Sequence, residues 1–253
     1  MNSALFCKAF AFFVENFESL VIRFKVMTLL QAKQSAGAKA AELIQEGMIV
    51  GLGTGSTATC FIEALIEKKK KGLFFRAVAS SKASADLART GGIDILDLNS
   101  VSTIDLTVDG ADEVDLQKRM IKGKGGAHVR EKILAVSSKE MIVIIDETKY
   151  VSSLGKTPLP VEILPYGAPL TRARLEKCGF QGEWRKNPKT NSLFITENGN
   201  LLLDISFTSP LSHPEEIELK IRRHPGVVDT GFFFGIAGRI IIGYQDGKVN
   251  VLS

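Results

Sequence analysis

The sequence is poor in the residues that build disulfide frameworks and metal sites. Its 253 residues include three cysteines, which are odd in number, far apart and never in a CxxC spacing. We therefore expect neither a disulfide framework nor a structural zinc site, and this cysteine usage favours a reducing compartment such as the cytoplasm. The three histidines form no HxH or HExxH pair, so a histidine-bound metal is not expected either.

Strong charge and long apolar runs are also missing. The net charge is +4, which is too small and too dispersed to predict nucleic-acid binding. The one basic run, Lys68 to Lys71, closes a predicted helix, where it complements the helix dipole. No apolar stretch is long enough to span a membrane. With 45% hydrophobic and 24% charged residues, the composition is typical of a soluble globular protein.

The first 26 residues differ from the rest of the chain. Their short apolar run, Ala9 to Val14, is followed at once by Glu15 and Glu18, which fits neither a secretory signal nor an acid-poor transit peptide. We expect residues 1–26 to be a dispensable extension or an upstream start ahead of Met27. An organelle-targeting segment is the alternative.

From residue 28 to about residue 156, apolar segments alternate between strand-like and helical spacing. This alternation predicts βαβ units and a parallel sheet that is covered on both faces. After Thr157-Pro158-Leu159-Pro160 the pattern changes to a small α+β unit, and the last segment is rich in strands. The prediction is an α/β protein with a main domain over residues 27–158 and 227–253 and a small domain over residues 159–226.

Within the small domain, two local signals are specific. Asn198-Gly199 predicts a hairpin between strands at Ser192–Thr196 and Leu201–Phe207. The run Ser212-His213-Pro214-Glu215 predicts a capping box that starts a helix with Pro at its first position.

A glycine-rich turn joins the first predicted strand to the next helix. We call it the hydroxyl turn, and its residues are Thr54, Gly55, Ser56 and Thr57. Glycine lets the backbone approach a ligand, and helix N-terminal amides attract anions, so the turn suits a phosphate. It lacks the lysine of a P-loop and the third glycine of a dinucleotide fingerprint. A tight strand-to-helix turn without a ligand explains the same residues.

Two further segments carry charge at predicted strand ends. The acidic turn comprises Asp109, Gly110, Ala111 and Asp112. Ligands bind at the carboxyl ends of parallel strands, where these carboxylates could orient sugar hydroxyls. An acidic capping turn and a magnesium site are the alternatives. The lysine loop comprises Lys122, Gly123, Lys124 and Gly125.

The lysine loop leads into a helix that carries Glu131 about one turn from its start. A lysine of the loop can stabilise an oxyanion, and a buried glutamate at the position of Glu131 can act as a base. Without burial, Glu131 would only complement the helix dipole. Lys156, at the junction of the two predicted domains, could reach a phosphate or could be a solvated hinge residue. We expect His128 to be structural.

Taken in order, these motifs resemble one family. The segments VGLGTGST, VDGADE, IKGKGGA with REK, LGKTPLPVE and HPGVVDTG are similar to successive motifs of the ribose-5-phosphate isomerase A family. The resemblance runs from about Thr28 to the C-terminus. It departs from the family at Lys124, where many members have glycine, and residues 1–26 have no counterpart in the family core.

The resemblance implies a Rossmann-like main domain, a ferredoxin-like small domain and a homo-oligomer, either a dimer or a tetramer. It also implies a sugar-phosphate substrate, no cofactor and no metal. The implied substrate-binding residues are those of the hydroxyl turn, the acidic turn and the lysine loop, together with Lys156. Glu131 matches the family's proton-accepting glutamate.

The implied reaction is an isomerisation through an enediolate. Glu131 would move a proton between C2 and C1, Lys122 would stabilise the oxyanion, and Asp109 would assist proton exchange between O1 and O2. Asp112 would hold sugar hydroxyls. Two other functions remain open on the residues alone: a sugar-phosphate sensor without catalysis and an acyl-transfer enzyme of the CoA transferase type.

Overall fold

The computed structural model describes residues 29–253. The predicted extension, residues 1–26, lies outside the described residues. The chain forms two lobes, each built on its own sheet, and a short third sheet.

The large lobe contains a seven-stranded sheet in the order β14-β13-β7-β4-β1-β2-β3. Every pairing in it is parallel except that of β13 with β14. Its strands are β1 (Ile49–Leu52), β2 (Arg76–Ala79), β3 (Asp94–Ile95), β4 (Leu106–Gly110), β7 (Met141–Asp146), β13 (Ala237–Gly243) and β14 (Val249–Leu252). Its helices are α1 (residues 29–41), α2 (Ser56–Lys70), α3 (Lys82–Thr90) and α4 (His128–Val136).

The central strands are apolar on both faces because both faces of the sheet are covered. All six residues of β7 are buried, for example, and so are the first four of β4. One hydrophobic cluster joins these strands to Phe61 and Leu65 of α2 and to Phe75. The alternation of strands and helices in the sequence therefore predicted this lobe correctly.

The direction of the strand order reverses beside β1. From β1 the chain continues outward through β2 and β3, then returns to place β4 on the other side of β1. The loops after β1 and β4 consequently separate above the sheet and leave a crevice at their carboxyl ends. Open α/β sheets bind their ligands at such a reversal point.

The small lobe has the order β8-α5-β9-β10-α6-β11 along the chain and an antiparallel sheet in the order β11-β8-β10-β9. This is the ferredoxin-like arrangement that we expected. The elements are β8 (Leu159–Ile163), α5 (Ala168–Lys177), β9 (Gly182–Trp184), β10 (Leu201–Ile205), α6 (Pro214–Arg222) and β11 (Val227–Thr230). Since β11 belongs to this sheet, the predicted segment 227–253 begins with a strand of the small lobe. The domain boundaries themselves stay a prediction.

A third sheet, of short strands, connects the lobes. It consists of β5 (Glu113–Val114), β6 (Met120–Ile121) and β12 (Phe232–Phe233), in the order β12-β6-β5. It follows the acidic turn and leads directly into the lysine loop. In the part of the chain that the structure describes, no helix is both long and apolar enough to cross a membrane.

Two local expectations in the small lobe were wrong in detail. The Asn198-Gly199 turn is present, with Gly199 at φ 80°, but residues 192–196 make only isolated bridges instead of a strand. The ladder partners of β10 are β8 and β9. Helix α6 does begin with Pro214, yet its N-cap residue is His213 and no side chain caps it, so the predicted Ser212 capping box does not form.

Candidate active site

A cavity of about 340 Å³ lies in the crevice between the loops after β1 and β4. It is lined by Lys33, Thr54, Gly55, Ser56, Thr57, Gly110, Ala111, Asp112, Lys122, Gly123, Lys124, Gly125, Glu131, Asp146 and Lys149. The structure thus brings the hydroxyl turn, most of the acidic turn, the lysine loop and Glu131 to one place. The volume suits a small ligand.

The hydroxyl turn connects β1 to α2 through Gly55, whose φ of 102° is a conformation that glycine tolerates best. Helix α2 begins immediately afterwards, at Ser56, so its first amides have no partner within the helix. The Thr54 hydroxyl is held by a 2.8 Å hydrogen bond with the hydroxyl of Ser80. The turn therefore presents amides and hydroxyls to the cavity, which is the chemistry of an anion site.

Asp109 lies beneath the cavity and does not line it. Its side chain is only 1% exposed. One carboxylate oxygen, Oδ1, accepts hydrogen bonds from the backbone amides of Thr54 (3.0 Å) and Gly110 (2.7 Å). The other, Oδ2, is 2.9 Å from the ammonium of Lys122. Asp109 therefore ties the hydroxyl turn to the acidic turn and holds Lys122 in place.

Lys122 and Glu131 form the buried centre of the site. Their side chains are each about 3% exposed, and Glu131 Oε2 lies 3.2 Å from Lys122 Nζ. The ammonium also donates to the carbonyl of Gly110. One cation thus faces two carboxylates, since Asp109 is its other partner. Such a group of charges is stable only if it is paired, hydrogen-bonded or partly protonated.

The charges shift one another's acidity. Burial raises the pKa of Glu131, and although Lys122 opposes this, the negative charge of Asp109 adds to it, so the pKa reaches about 8. Burial likewise raises the pKa of Asp109 despite its contact with Lys122. For Lys122, burial lowers the pKa, but the attraction of Asp109 and Glu131 outweighs burial and leaves it above its usual value. A glutamate with a pKa near neutrality beside a fixed cation is suited to proton transfer.

The lysine loop is shaped by its glycines. Gly123 has a φ of 101°, and a side chain there would also collide with His128. His128 is fully buried, and burial lowers its pKa to about 4, so it is neutral at physiological pH. The amide of Lys124 donates to Asp112, 3.0 Å away, which links the lysine loop to the acidic turn. The expectation that His128 is structural fits this position.

Three residues that line this cavity were not predicted from the sequence. Lys33 lies on α1 and donates to the Ser56 hydroxyl (3.0 Å), while Asp146 and Lys149 lie at the end of β7 and in the 3-10 turn Glu147–Lys149 that follows it. The position of Asp146 and Lys149 after a parallel strand is the signal that could have identified them. Lys33 carries no such signal, because an isolated helical lysine is usually a solvated surface residue.

Lys156, like Asp109, is a predicted contact that does not line the main cavity. It lines a separate cavity with Glu147, Tyr150 and residues 207–210. Its loop is held by Glu113, which is 2% exposed and accepts the amides of Gly155 (2.8 Å) and Thr157. The structure therefore places the Lys156 side chain outside the main cavity.

This fold and this site are those of an α/β enzyme that acts on a small anionic substrate. A sequence model of one family, described as "Ribose 5-phosphate isomerase A (phosphoriboisomerase A)", matches residues 76–247. A ribose-5-phosphate isomerase A from Protochlamydia amoebophila is 46% identical over 224 residues, which cover 88% of this chain and 96% of the relative. The one from Bacillus mycoides is 41% identical over 87% of this chain and 98% of the relative.

Solved structures agree with the sequence relatives. A ribose 5-phosphate isomerase from Plasmodium falciparum superimposes with a TM-score of 0.84 at 35% identity, covering 89% of this chain and 99% of its own. A D-ribose-5-phosphate isomerase "in complex with phospho-erythronic acid" gives the same TM-score at 36% identity and the same coverage. The chain belongs to the ribose 5-phosphate isomerase A family.

Proposed function

We propose that this protein interconverts D-ribose 5-phosphate and D-ribulose 5-phosphate, as an aldose–ketose isomerase of the non-oxidative pentose phosphate pathway. Family membership supports the reaction. The observation that carries the mechanism is the buried contact of 3.2 Å between Glu131 and Lys122 inside a cavity of substrate size. The pairing supplies a base and an electrophile, which is what proton abstraction next to a carbonyl needs.

The reaction moves one proton on carbon and one on oxygen. Glu131 takes the proton from C2 of the open-chain aldose, and the electron pair moves onto the carbonyl oxygen O1 to give an enediolate. Lys122 stabilises the negative charge on that oxygen. Glu131 then returns its proton to C1, while the proton of the O2 hydroxyl passes to O1. A pKa of Glu131 near 8 keeps it both a usable base and a usable acid close to neutral pH.

The two aspartates have different positions and therefore different roles. Asp112 lines the cavity, where its carboxylate can hold sugar hydroxyls. Asp109 is beneath the floor and contacts Lys122, so we assign it to positioning the ammonium. The expectation that Asp109 also assists proton exchange between O1 and O2 stays a prediction.

The phosphate of the substrate requires an anion site away from the base. Lys33 and Lys149 line the same cavity as the first residues of α2, whose free amides face an anion favourably. We propose that these two lysines and the hydroxyl turn bind the phosphate. Lys156 lines the other cavity, so its predicted substrate contact is the competing hypothesis for the phosphate anchor.

The assembly, compartment and metal independence are also proposals. The small lobe exposes three large apolar side chains close together in the chain, Leu164 (47%), Tyr166 (95%) and Leu170 (65%). Exposed apolar groups of this kind favour the homo-oligomer, a dimer or tetramer, that the sequence resemblance implied.

We further propose that the enzyme is cytoplasmic and metal-independent. The cysteine usage supports the first proposal, and the second is supported by a base and a cation that are both supplied by side chains.

The test is turnover of ribose 5-phosphate in the presence of EDTA. We expect the full-length protein to be active and Glu131→Gln to lose about 10²-fold to 10⁴-fold in kcat, since the amide keeps the shape but cannot accept the proton. Glu63→Gln on the exposed face of α2 is the matched control and should retain full activity. An inactive wild-type protein would refute the isomerase function and favour a sensor, whereas an active Glu131→Gln would remove Glu131 from the mechanism.

A further inference from the structure

An arginine of the small lobe contacts the lysine loop directly. Arg185 follows β9, and its side chain is 14% exposed. One terminal nitrogen, Nη1, donates to two carbonyls of the loop, those of Gly123 (2.8 Å) and Lys124 (2.9 Å). The mechanism proposed above makes no use of this residue.

The guanidinium is fixed from its other side. Asp204 on β10 accepts from Arg185 Nε at 2.9 Å and from Arg185 Nη2. This fork-to-carboxylate pairing holds the plane of the guanidinium and directs Nη1 at the loop. Because β9 and β10 are paired strands, with Leu203 opposite Trp184, both members of the ion pair have a rigid support.

The contact also helps to set the direction of the loop amides, together with the loop's own turn, in which the Gly126 amide donates to the Gly123 carbonyl at 2.9 Å. In a planar trans peptide the C=O and the following N–H point in opposite directions. The carbonyl of Gly123 points to Arg185, and accordingly the amide of Lys124 points to Asp112. By the same geometry the carbonyl of Lys124, which also points to Arg185, turns the amide of Gly125 away from the small lobe.

The amide of Gly125 is therefore available to a ligand. Gly125 lines the active-site cavity, and within residues 29–253 its N–H donates to no other group. An oriented amide in a cavity that excludes bulk water is a strong partner for a developing oxyanion. Its direction depends on the peptide unit that Arg185 holds.

We propose that Arg185, held by Asp204, is a positioning residue for the isomerase reaction: it fixes the peptide units of the lysine loop so that the Gly125 amide faces the substrate oxygens. This inference rests on the proposed function. It places part of the control of the site in the small lobe, on a residue that touches no substrate.

Three variants and one control separate positioning from general stability. Arg185→Lys keeps the charge but cannot reach Asp204 and both carbonyls together, and Arg185→Ala leaves room for a guanidinium ion. Asp204→Asn weakens the hold on Arg185. Arg174→Lys is the control, because Arg174 belongs to the same lobe and its side chain is exposed on α5.

The measurements are kcat and KM for ribose 5-phosphate, together with Tm for each full-length variant. We expect kcat/KM to fall about 10²-fold in Arg185→Lys and Arg185→Ala and by less in Asp204→Asn, because misplacing a positioning group by about 1 Å costs that much. Arg174→Lys should keep wild-type kinetics. Millimolar guanidinium, but not sodium at equal ionic strength, should restore activity to Arg185→Ala, which a purely structural role would not produce.

The outcomes are distinguishable. An active wild type whose Arg185→Lys variant keeps kcat/KM within about twofold would overturn the inference alone. A folded Arg185→Ala that guanidinium does not restore would do the same, and if that variant does not fold, Arg185→Lys decides. A wild type without isomerase activity would overturn the proposed function and this inference with it.

Discussion

Lys122 is the residue on which the electrostatics of the site depend. It is the only cation within 4 Å of Asp109 and Glu131 among the described residues, and all three side chains are almost fully buried. The two carboxylates therefore compete for one positive charge. This shortage of positive charge is part of the reason why the pKa of Glu131 lies near 8 instead of near its usual value.

Kinetic measurements can distinguish which lysine binds the substrate phosphate. Replacing Lys149 with Ala should raise the KM for ribose 5-phosphate by about 10-fold or more with a smaller change in kcat, since a phosphate contact binds substrate and transition state alike. Lys156→Ala is the matched control and should leave both constants unchanged, because its side chain lines another cavity. Steady-state kinetics of the two variants test this, and the opposite ranking would show that Lys156 is the phosphate ligand.

The sequence predicted those residues of the cavity that occur in contiguous motifs. Thr54 and Glu131 belong to such motifs, whereas Lys33 is brought to the cavity only by the packing of α1 beside the start of α2. Nothing in the local sequence distinguishes Lys33 from a lysine on a solvated helix face. Lys149 could have been identified from the sequence, because it follows the carboxyl end of β7.

At the scale of elements, the site depends on the close approach of β1 and β4. The two strands are parallel neighbours, with Leu52 opposite Val108, so Gly53 and Asp109 lie side by side at the carboxyl end of the sheet. A Cβ added at Gly53 would overlap the carboxylate of Asp109. Glycine at this position is therefore what allows Asp109 to bridge the two turns.

Gly53→Ala should lower the free energy of unfolding by about 1–3 kcal/mol, as overpacking of a well-packed interior does. It should also displace Asp109 and lower kcat. Gly110→Ala is the matched control for stability, because a Cβ there meets its nearest atoms at 3.7 Å, an ordinary contact. Urea unfolding of both variants measures the difference, and equal stabilities would show that Asp109 can move aside without cost.

The helices and strands of the large lobe were predictable from periodicity, whereas the antiparallel sheet of the small lobe was predictable only in part. The Asn198-Gly199 turn indicated a hairpin, but the segment before it pairs only through single bridges, at Leu193 and Ile195. The actual partner of β10 on that side is β9, which has only three residues. A strand that short has too few alternations to stand out in a sequence.

In the whole molecule, the two lobes hold α4, the helix that carries Glu131, between them. The residues on either side of Glu131 both reach the small lobe. Arg130 binds the turn at Glu197, including its carbonyl at 2.8 Å, and Lys132 is 2.9 Å from Asp229 of β11. The position of Glu131 is therefore set in part by contacts from outside the large lobe. This arrangement depends on the packing of the two lobes and could not be predicted from either part of the sequence alone.

Because the pKa of the buried Glu131 carboxyl is raised, ionisation of this group should lower the free energy of unfolding of the protein. The folded protein holds the Glu131 proton up to a pKa of about 8, whereas the unfolded chain releases it near 4.5. Between these values the folded state binds more protons, so Glu131 makes the free energy of unfolding fall as pH rises. Glu131→Gln has no such proton to release. Its stability relative to wild type should therefore increase from about pH 4.5 and level off above about pH 8. Thermal unfolding of both proteins from pH 4.5 to 9 measures this. A constant difference over that range would show that the Glu131 carboxylate is ionised in the folded state throughout, and that its pKa is not raised.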